Sequence, residues 1–162
     1  GLLNESSDPM YHLSEAYVMA TYICLLCGYL GALIFAATAT PTIVLKHLDG
    51  AALAPLMAQH WRSVHKFAVI GGLLFTAVCA LASGKTALPS AYALMLVSVS
   101  ALMTISFYVS LQTLPRLSEA PNGGLKFANL TLYWTGILSG FVLAVALVYV
   151  LPGQFTFWPT AA

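Results

Sequence analysis

Charged side chains are scarce in this chain. Of its 162 residues, six are Lys or Arg and five are Asp or Glu, which amounts to 7% of the sequence. Soluble domains carry about 25% charged residues, so this composition excludes an ordinary soluble globular protein. The formal net charge of +1 provides no basic surface of the kind that nucleic acids bind, and we expect no nucleic-acid partner.

Recognisable catalytic motifs are missing as well. The chain has no nucleophile elbow, no zinc-protease signature and no phosphate-binding loop. Its four long apolar runs contain no Lys, Arg, Asp or Glu, whereas ion-coupled transporters and proton relays carry such residues within their spans. We therefore assign no catalytic residues. The pattern favours a protein that is not an enzyme, without deciding the question.

Hydrophobic residues make up 60% of the chain, and its mean hydropathy is +0.88. A membrane-spanning helix needs roughly 20 apolar residues. We predict an all-α polytopic membrane protein with four transmembrane helices in an antiparallel bundle, spanning about 16–45, 67–84, 88–114 and 127–151. These spans form one transmembrane domain, 16–152, between an N-terminal extramembrane arm, 1–15, and a C-terminal interfacial tail, 153–162.

The basic residues predict the orientation in the membrane. Lys85 lies in the second connection, and the other five lie in the first and third, at Lys46, Arg62, Lys66, Arg116 and Lys126. Cytoplasmic loops carry an excess of Lys and Arg. We therefore expect both termini on the outer side and the first and third connections on the cytoplasmic side.

Two apolar runs carry small residues at every fourth position, a spacing that lets another helix approach closely. We expect the small residues of the first run to face the bundle, and those of the fourth to form a second packing face. The candidate helix-packing residues are Gly28, Ala32 and Ala36 in the first run and Gly136, Gly140 and Ala144 in the fourth.

A polar stretch between the first two runs holds three of the four histidines. We expect Gly50 and Pro55 to break the helix there, before a short interfacial helix leads into the second span. His47, His60 and His65 are candidate ligands for haem or copper, and Asp49 could complete a metal shell. On a helix His60 and His65 lie about 140° apart, so they share a centre only if the helix starts between them. The alternative is a set of interfacial histidines beside lipid headgroups.

Three short motifs carry a resemblance to a known group. Gly31-Ala-Leu-Ile-Phe35 is followed by Pro41, His60-Trp-Arg-Ser-Val-His-Lys-Phe67 opens the second run, and Leu111-Gln-Thr-Leu-Pro-Arg-Leu117 ends the third. Over roughly residues 17 to 150 this layout resembles the CopD-like group of bacterial four-helix integral membrane domains. The resemblance implies a four-helix fold, and that group is associated with copper uptake.

Three functions are consistent with these patterns. Uncharged spans, short loops and small-residue faces favour a non-catalytic accessory or stabilising subunit of a larger membrane complex, such as a respiratory or photosynthetic one. Its partners would be membrane lipids and other membrane subunits, with no cofactor. The alternatives are a haem- or copper-handling protein that uses the histidine cluster, and a module that binds quinone or lipid. We expect the location to be a bacterial inner membrane.

Overall fold

The computed structural model describes residues 9–47, 50–85, 90–116 and 123–150. This part of the chain is helical: α1 (Pro9–His47), α2 (Gly50–Lys85), α3 (Ser90–Thr113) and α4 (Gly123–Val150), with a 3₁₀ turn at Leu114–Arg116 after α3. The predicted C-terminal tail, residues 1–8 of the predicted arm, and Asp49 lie outside the described residues.

Each of the four helices contains a segment long and apolar enough to cross a membrane. These segments are Tyr17–Ile43, Pro55–Leu81, Ala91–Thr113 and Gly124–Val148. Their surfaces are apolar too, since large side chains such as Leu81, Leu94 and Phe127 are about 70% exposed. The all-α fold with four candidate membrane-spanning helices is thereby confirmed.

The second helix starts earlier than the sequence pattern indicates. We expected a break at Gly50 and Pro55 and a span over 67–84, but α2 is continuous from Gly50 to Lys85 and contains Pro55. Pro41 likewise lies inside α1. A proline removes one backbone hydrogen bond, whereas a broken helix would leave several backbone groups unpaired in an apolar surrounding. The polar stretch that carries His60 and His65 is therefore part of α2.

The core lies where α3 packs against α2 and α4, while α1 makes smaller contacts with α4 and α2. Within their candidate spans, half of α4 is buried, compared with 22% of α1. The fully buried large side chains come from all four helices and include Leu26, Leu30, Leu33, His65, Met103, Phe107, Tyr133 and Leu143.

The two small-residue faces are placed differently. Gly136, Gly140 and Ala144 are buried on α4, whereas Gly28 and Ala32 on α1 are exposed and Ala36 is partly buried. The first face therefore does not line the contact that α1 makes with the described helices. Bulky apolar residues on the opposite side of α1 form that contact, namely Leu26, Tyr29, Leu30 and Leu33.

Candidate functional site

His65 on α2 is a buried polar side chain that packs near the end of α3, with 1% of its surface exposed. Its Nδ1 lies 2.7 Å from the backbone oxygen of Trp61, one helical turn earlier. A carbonyl oxygen only accepts, so Nδ1 carries a proton and donates it. Its Nε2 lies 2.8 Å from Ser110 Oγ on α3, and in the neutral ring this nitrogen accepts a hydrogen bond from the Ser110 hydroxyl. The Asn129 backbone oxygen, at 3.2 Å, is a second and more distant acceptor for the same hydroxyl.

Asn129 extends this contact from α3 to α4. Its Nδ2 donates its two hydrogens to the Ser110 backbone oxygen at 2.7 Å and to Thr113 Oγ1 at 2.8 Å, and it also lies 3.1 Å from Ser110 Oγ. The bond to a backbone oxygen identifies Nδ2 as the nitrogen and so determines the orientation of the amide. We call His65, Ser110, Thr113 and Asn129 the polar layer; it joins α2, α3 and α4 by hydrogen bonds.

Tyr133 connects the polar layer to α1. Its hydroxyl donates to the backbone oxygen of Leu33 at 2.6 Å. The centre of its ring lies 5.1 Å from that of His65 and 5.9 Å from that of Trp61, where Tyr133 and Trp61 meet edge to face. Since the phenol is 1% exposed, its hydroxyl needs this partner. All four helices therefore meet around this end of the core.

A cavity of about 150 Å³ adjoins the polar layer. It lies between α2, the end of α3 and the first turns of α4. Its wall is mostly apolar, and Lys126 is exposed to solvent at the start of α4. The lining residues are Trp61, His65, Leu114, Lys126, Asn129, Leu130 and Tyr133.

Two of the predicted ligand residues, His60 and His65, bond to different helices. His60 is partly buried and donates from Nε2 to the Ala36 backbone oxygen of α1 at 3.0 Å, whereas His65 turns to α3. His47, the last residue of α1, is exposed. Among the described residues no group of three or more His, Cys, Asp or Glu side chains could hold a metal ion. The described residues therefore give no support to a haem or copper site.

Sequence reasoning missed Ser110, Asn129 and Lys126 as site residues. Ser110 is one of several hydroxyl-bearing residues on α3, and the sequence does not distinguish it from the others. Asn129 carried a usable signal, because it is the one amide side chain in the apolar run 127–151. A polar amide at such depth requires partners, and these are supplied by α3.

The chain matches no protein-family model, no curated protein and no solved structure. The resemblance to the CopD-like group therefore stays a prediction that rests on three short motifs.

Proposed function

We propose that this protein is a non-catalytic accessory or stabilising subunit of a larger membrane complex, such as a respiratory or photosynthetic one. The observation that carries the proposal is an exposed surface on α1 built from small residues. We call this surface, formed by Gly28, Gly31 and Ala32, the α1 outer face.

The α1 outer face is open to a partner. A Cβ atom built at Gly28 or Gly31 would have nothing within 4 Å apart from the helix itself. Phe35, which is 58% exposed, lies two turns after Gly28 on the same side of the helix and could fit beside a partner helix. Small residues let two helix backbones approach closely, and the resulting van der Waals contact drives association in a membrane. Lipid chains gain little from such a surface.

The burial of α1 supports the same proposal. With 22% of its candidate span buried, the same share as for α2, α1 contributes less to the described core than α3 or α4 does. A helix with so much exposed surface can contact its own protein on one side and a neighbouring protein on the other. The absence of charge from the α1 span, Tyr17–Ile43, allows that neighbour to be another membrane helix.

The proposal includes a topology. We place the four helices as an antiparallel bundle in a bacterial inner membrane, with both termini outside. Lys46, Arg62, Lys66 and Lys126 are exposed. Lys46 and Lys126 lie near the helix ends that adjoin the first and third connections, and Arg62 and Lys66 lie in the first half of α2, which follows the first connection. Their charge supports a cytoplasmic position for these ends.

Native mass spectrometry after mild detergent extraction from the protein's own membrane tests this function. We expect the wild-type chain in a complex with other subunits, and Gly28→Leu as a free four-helix chain, because the added side chain keeps the partner backbone away. Ala77→Leu is the matched control, since Ala77 is an exposed small residue on α2 outside the α1 outer face. Ala77→Leu should stay in the complex.

Two results would contradict the proposal. A wild-type chain that is released alone and monodisperse would argue against an accessory subunit. Equal loss of partners from Gly28→Leu and Ala77→Leu would argue against docking through the α1 outer face.

A further inference from the structure

The cavity beside the polar layer lies at the ends of the candidate membrane-spanning segments of α3 and α4. Lys126 is the third residue of the α4 candidate span, Gly124–Val148, and Leu114 directly follows the α3 span, Ala91–Thr113. This is the depth at which lipid headgroups and aromatic side chains such as Trp61 are found. A ligand of this cavity would reach it from the interfacial layer.

One buried acceptor in the cavity wall receives no hydrogen bond from the described residues. Asn129 is 8% exposed and lines the cavity. Its Nδ2 makes three contacts within the polar layer, but no described residue donates to its Oδ1. A buried acceptor without a partner lowers the stability of the folded protein. A ligand with a hydroxyl group would remove that loss of stability.

The cavity also offers donors and positive charge. Lys126 is exposed. The described part of the chain contains one carboxylate, Glu15, which lies in the first half of α1, whereas Lys46 lies at the other end of that helix. The indole N–H of Trp61 has no acceptor among the described residues. An anionic group beside Lys126 would form a charge-assisted hydrogen bond. The donors and the acceptor together match an anion that also carries a hydroxyl group.

An open groove on α4 continues from the cavity. The groove has a volume of about 370 Å³ and shares Leu130 with the cavity wall. It runs from Phe127 to Leu138 and is lined mainly by apolar atoms. Its length along the helix is about 16 Å, at 1.5 Å for each residue. An acyl chain attached to a headgroup in the cavity would lie in this groove.

We propose that the cavity and the groove together bind one anionic phospholipid whose headgroup carries a hydroxyl group, such as phosphatidylglycerol. The phosphate accepts a hydrogen bond from Lys126, the hydroxyl donates to Asn129 Oδ1, and one acyl chain follows the groove past Leu130. An ammonium headgroup would be repelled by Lys126, and an oxidised quinone has no hydroxyl for Asn129. This site is independent of the accessory role proposed above.

Native mass spectrometry of the delipidated protein with added lipids tests this site. We expect phosphatidylglycerol to be retained more than phosphatidylcholine, which has no headgroup hydroxyl and no net charge. Phosphatidic acid, an anion without that hydroxyl, should be retained to an intermediate degree. Equal retention of phosphatidylglycerol and phosphatidylcholine would overturn the proposal.

Two variants locate the bound lipid. Lys126→Gln should weaken phosphatidylglycerol retention about tenfold, because a hydrogen bond to a charged group is lost. Lys66→Gln is the matched control, since Lys66 is an exposed cation that does not line the cavity. The melting temperature of the lipid-free protein should be the same for both variants, since both side chains are exposed. Equal loss of retention from both would overturn the site.

Soluble sn-glycerol 3-phosphate separates a lipid site from a site for free phosphate. It carries the phosphate and hydroxyl groups but no acyl chain, so it should displace phosphatidylglycerol only at a large excess. Displacement at equal concentration would contradict the role of the groove. Thr131→Phe, placed in the groove, should reduce retention of the lipid while leaving the binding of sn-glycerol 3-phosphate unchanged.

Discussion

The small-residue faces of α1 and α4 have the same four-residue spacing, but the face on α4 is buried and the face on α1 is largely exposed. On α4 a Cβ at Gly136 would lie 2.6 Å from the Phe107 ring, and a Cβ at Gly140 would lie 3.0 Å from Met103 Sδ and would also meet Leu30. On α1 a Cβ at Gly28 would meet nothing within 4 Å. The spacing therefore shows that a helix can be approached closely, but not which helix approaches it.

Bulky neighbours explain why the two faces differ. Phe107 and Met103 of α3 are fully buried and project onto α4 where its glycines leave room. On α1 the buried bulky residues lie on the other side of the helix, and Leu30 itself packs against Gly140. The described helices therefore make no close contact with Gly28 and Gly31 of α1.

The buried small-residue face of α4, formed by Gly136, Gly140 and Ala144, is the inner face. The largest effect should come from a bulky residue introduced there. Gly136→Leu forces a side chain against the Phe107 ring, which is held between Tyr133 and Tyr29. We expect a loss of about 3 kcal/mol or more in the free energy of unfolding, since overpacking of a core is costly. Gly28→Leu should leave the stability of the isolated protein unchanged. Thermal unfolding of both variants in detergent measures the difference, and equal melting temperatures would remove the distinction between the faces.

A smaller loss is expected at the neighbouring inner glycine. At Gly140 the obstructing atoms are the ends of the flexible Leu30 and Met103 side chains, which can move aside. Gly140→Ala should therefore cost about 1 kcal/mol, at the low end of the range for overpacked cores. Gly136→Ala, which meets a rigid ring, should cost more in the same unfolding experiment. The reverse order would show that ring rigidity does not govern the inner face.

The smallest effect is expected at the outer face. Gly28→Ala adds a methyl group in open space, and alanine is the better helix former by about 1 kcal/mol in soluble helices. The isolated protein should unfold at the same temperature as the wild type or slightly above it. A clear drop in the melting temperature would show that Gly28 already packs against something within the chain.

Much of the fold follows from the distribution of charge. Four runs without Lys, Arg, Asp or Glu are sufficient to predict four membrane-spanning helices, and the structure contains them. The start of α2 could not be predicted in this way, because Arg62 and Lys66 resemble loop residues. Both side chains are exposed on a continuous helix, where long basic side chains can extend to the headgroups, while His65 beside them is buried.

The candidate site was less accessible to sequence reasoning. Ser110 lies 45 residues from His65 and 19 residues from Asn129, so their hydrogen bonds depend on how α2, α3 and α4 pack. His47, His60 and His65 form one candidate ligand set only because they lie close together in the sequence. Because His60 and His65 are five residues apart on a continuous helix, their side chains point in different directions. His60 contacts α1, and His65 contacts α3. Periodicity within one helix cannot supply contacts between helices.

Photo-crosslinking in the native membrane tests the central claim most directly. A photoreactive amino acid at Ala32 samples the α1 outer face, and one at Leu102, 52% exposed on α3, samples a surface without small-residue packing. We predict that position 32 forms a discrete crosslink to another membrane protein, while position 102 crosslinks mainly to lipid. Crosslinks to lipid alone from position 32 would contradict the proposal that α1 docks this protein onto a larger complex.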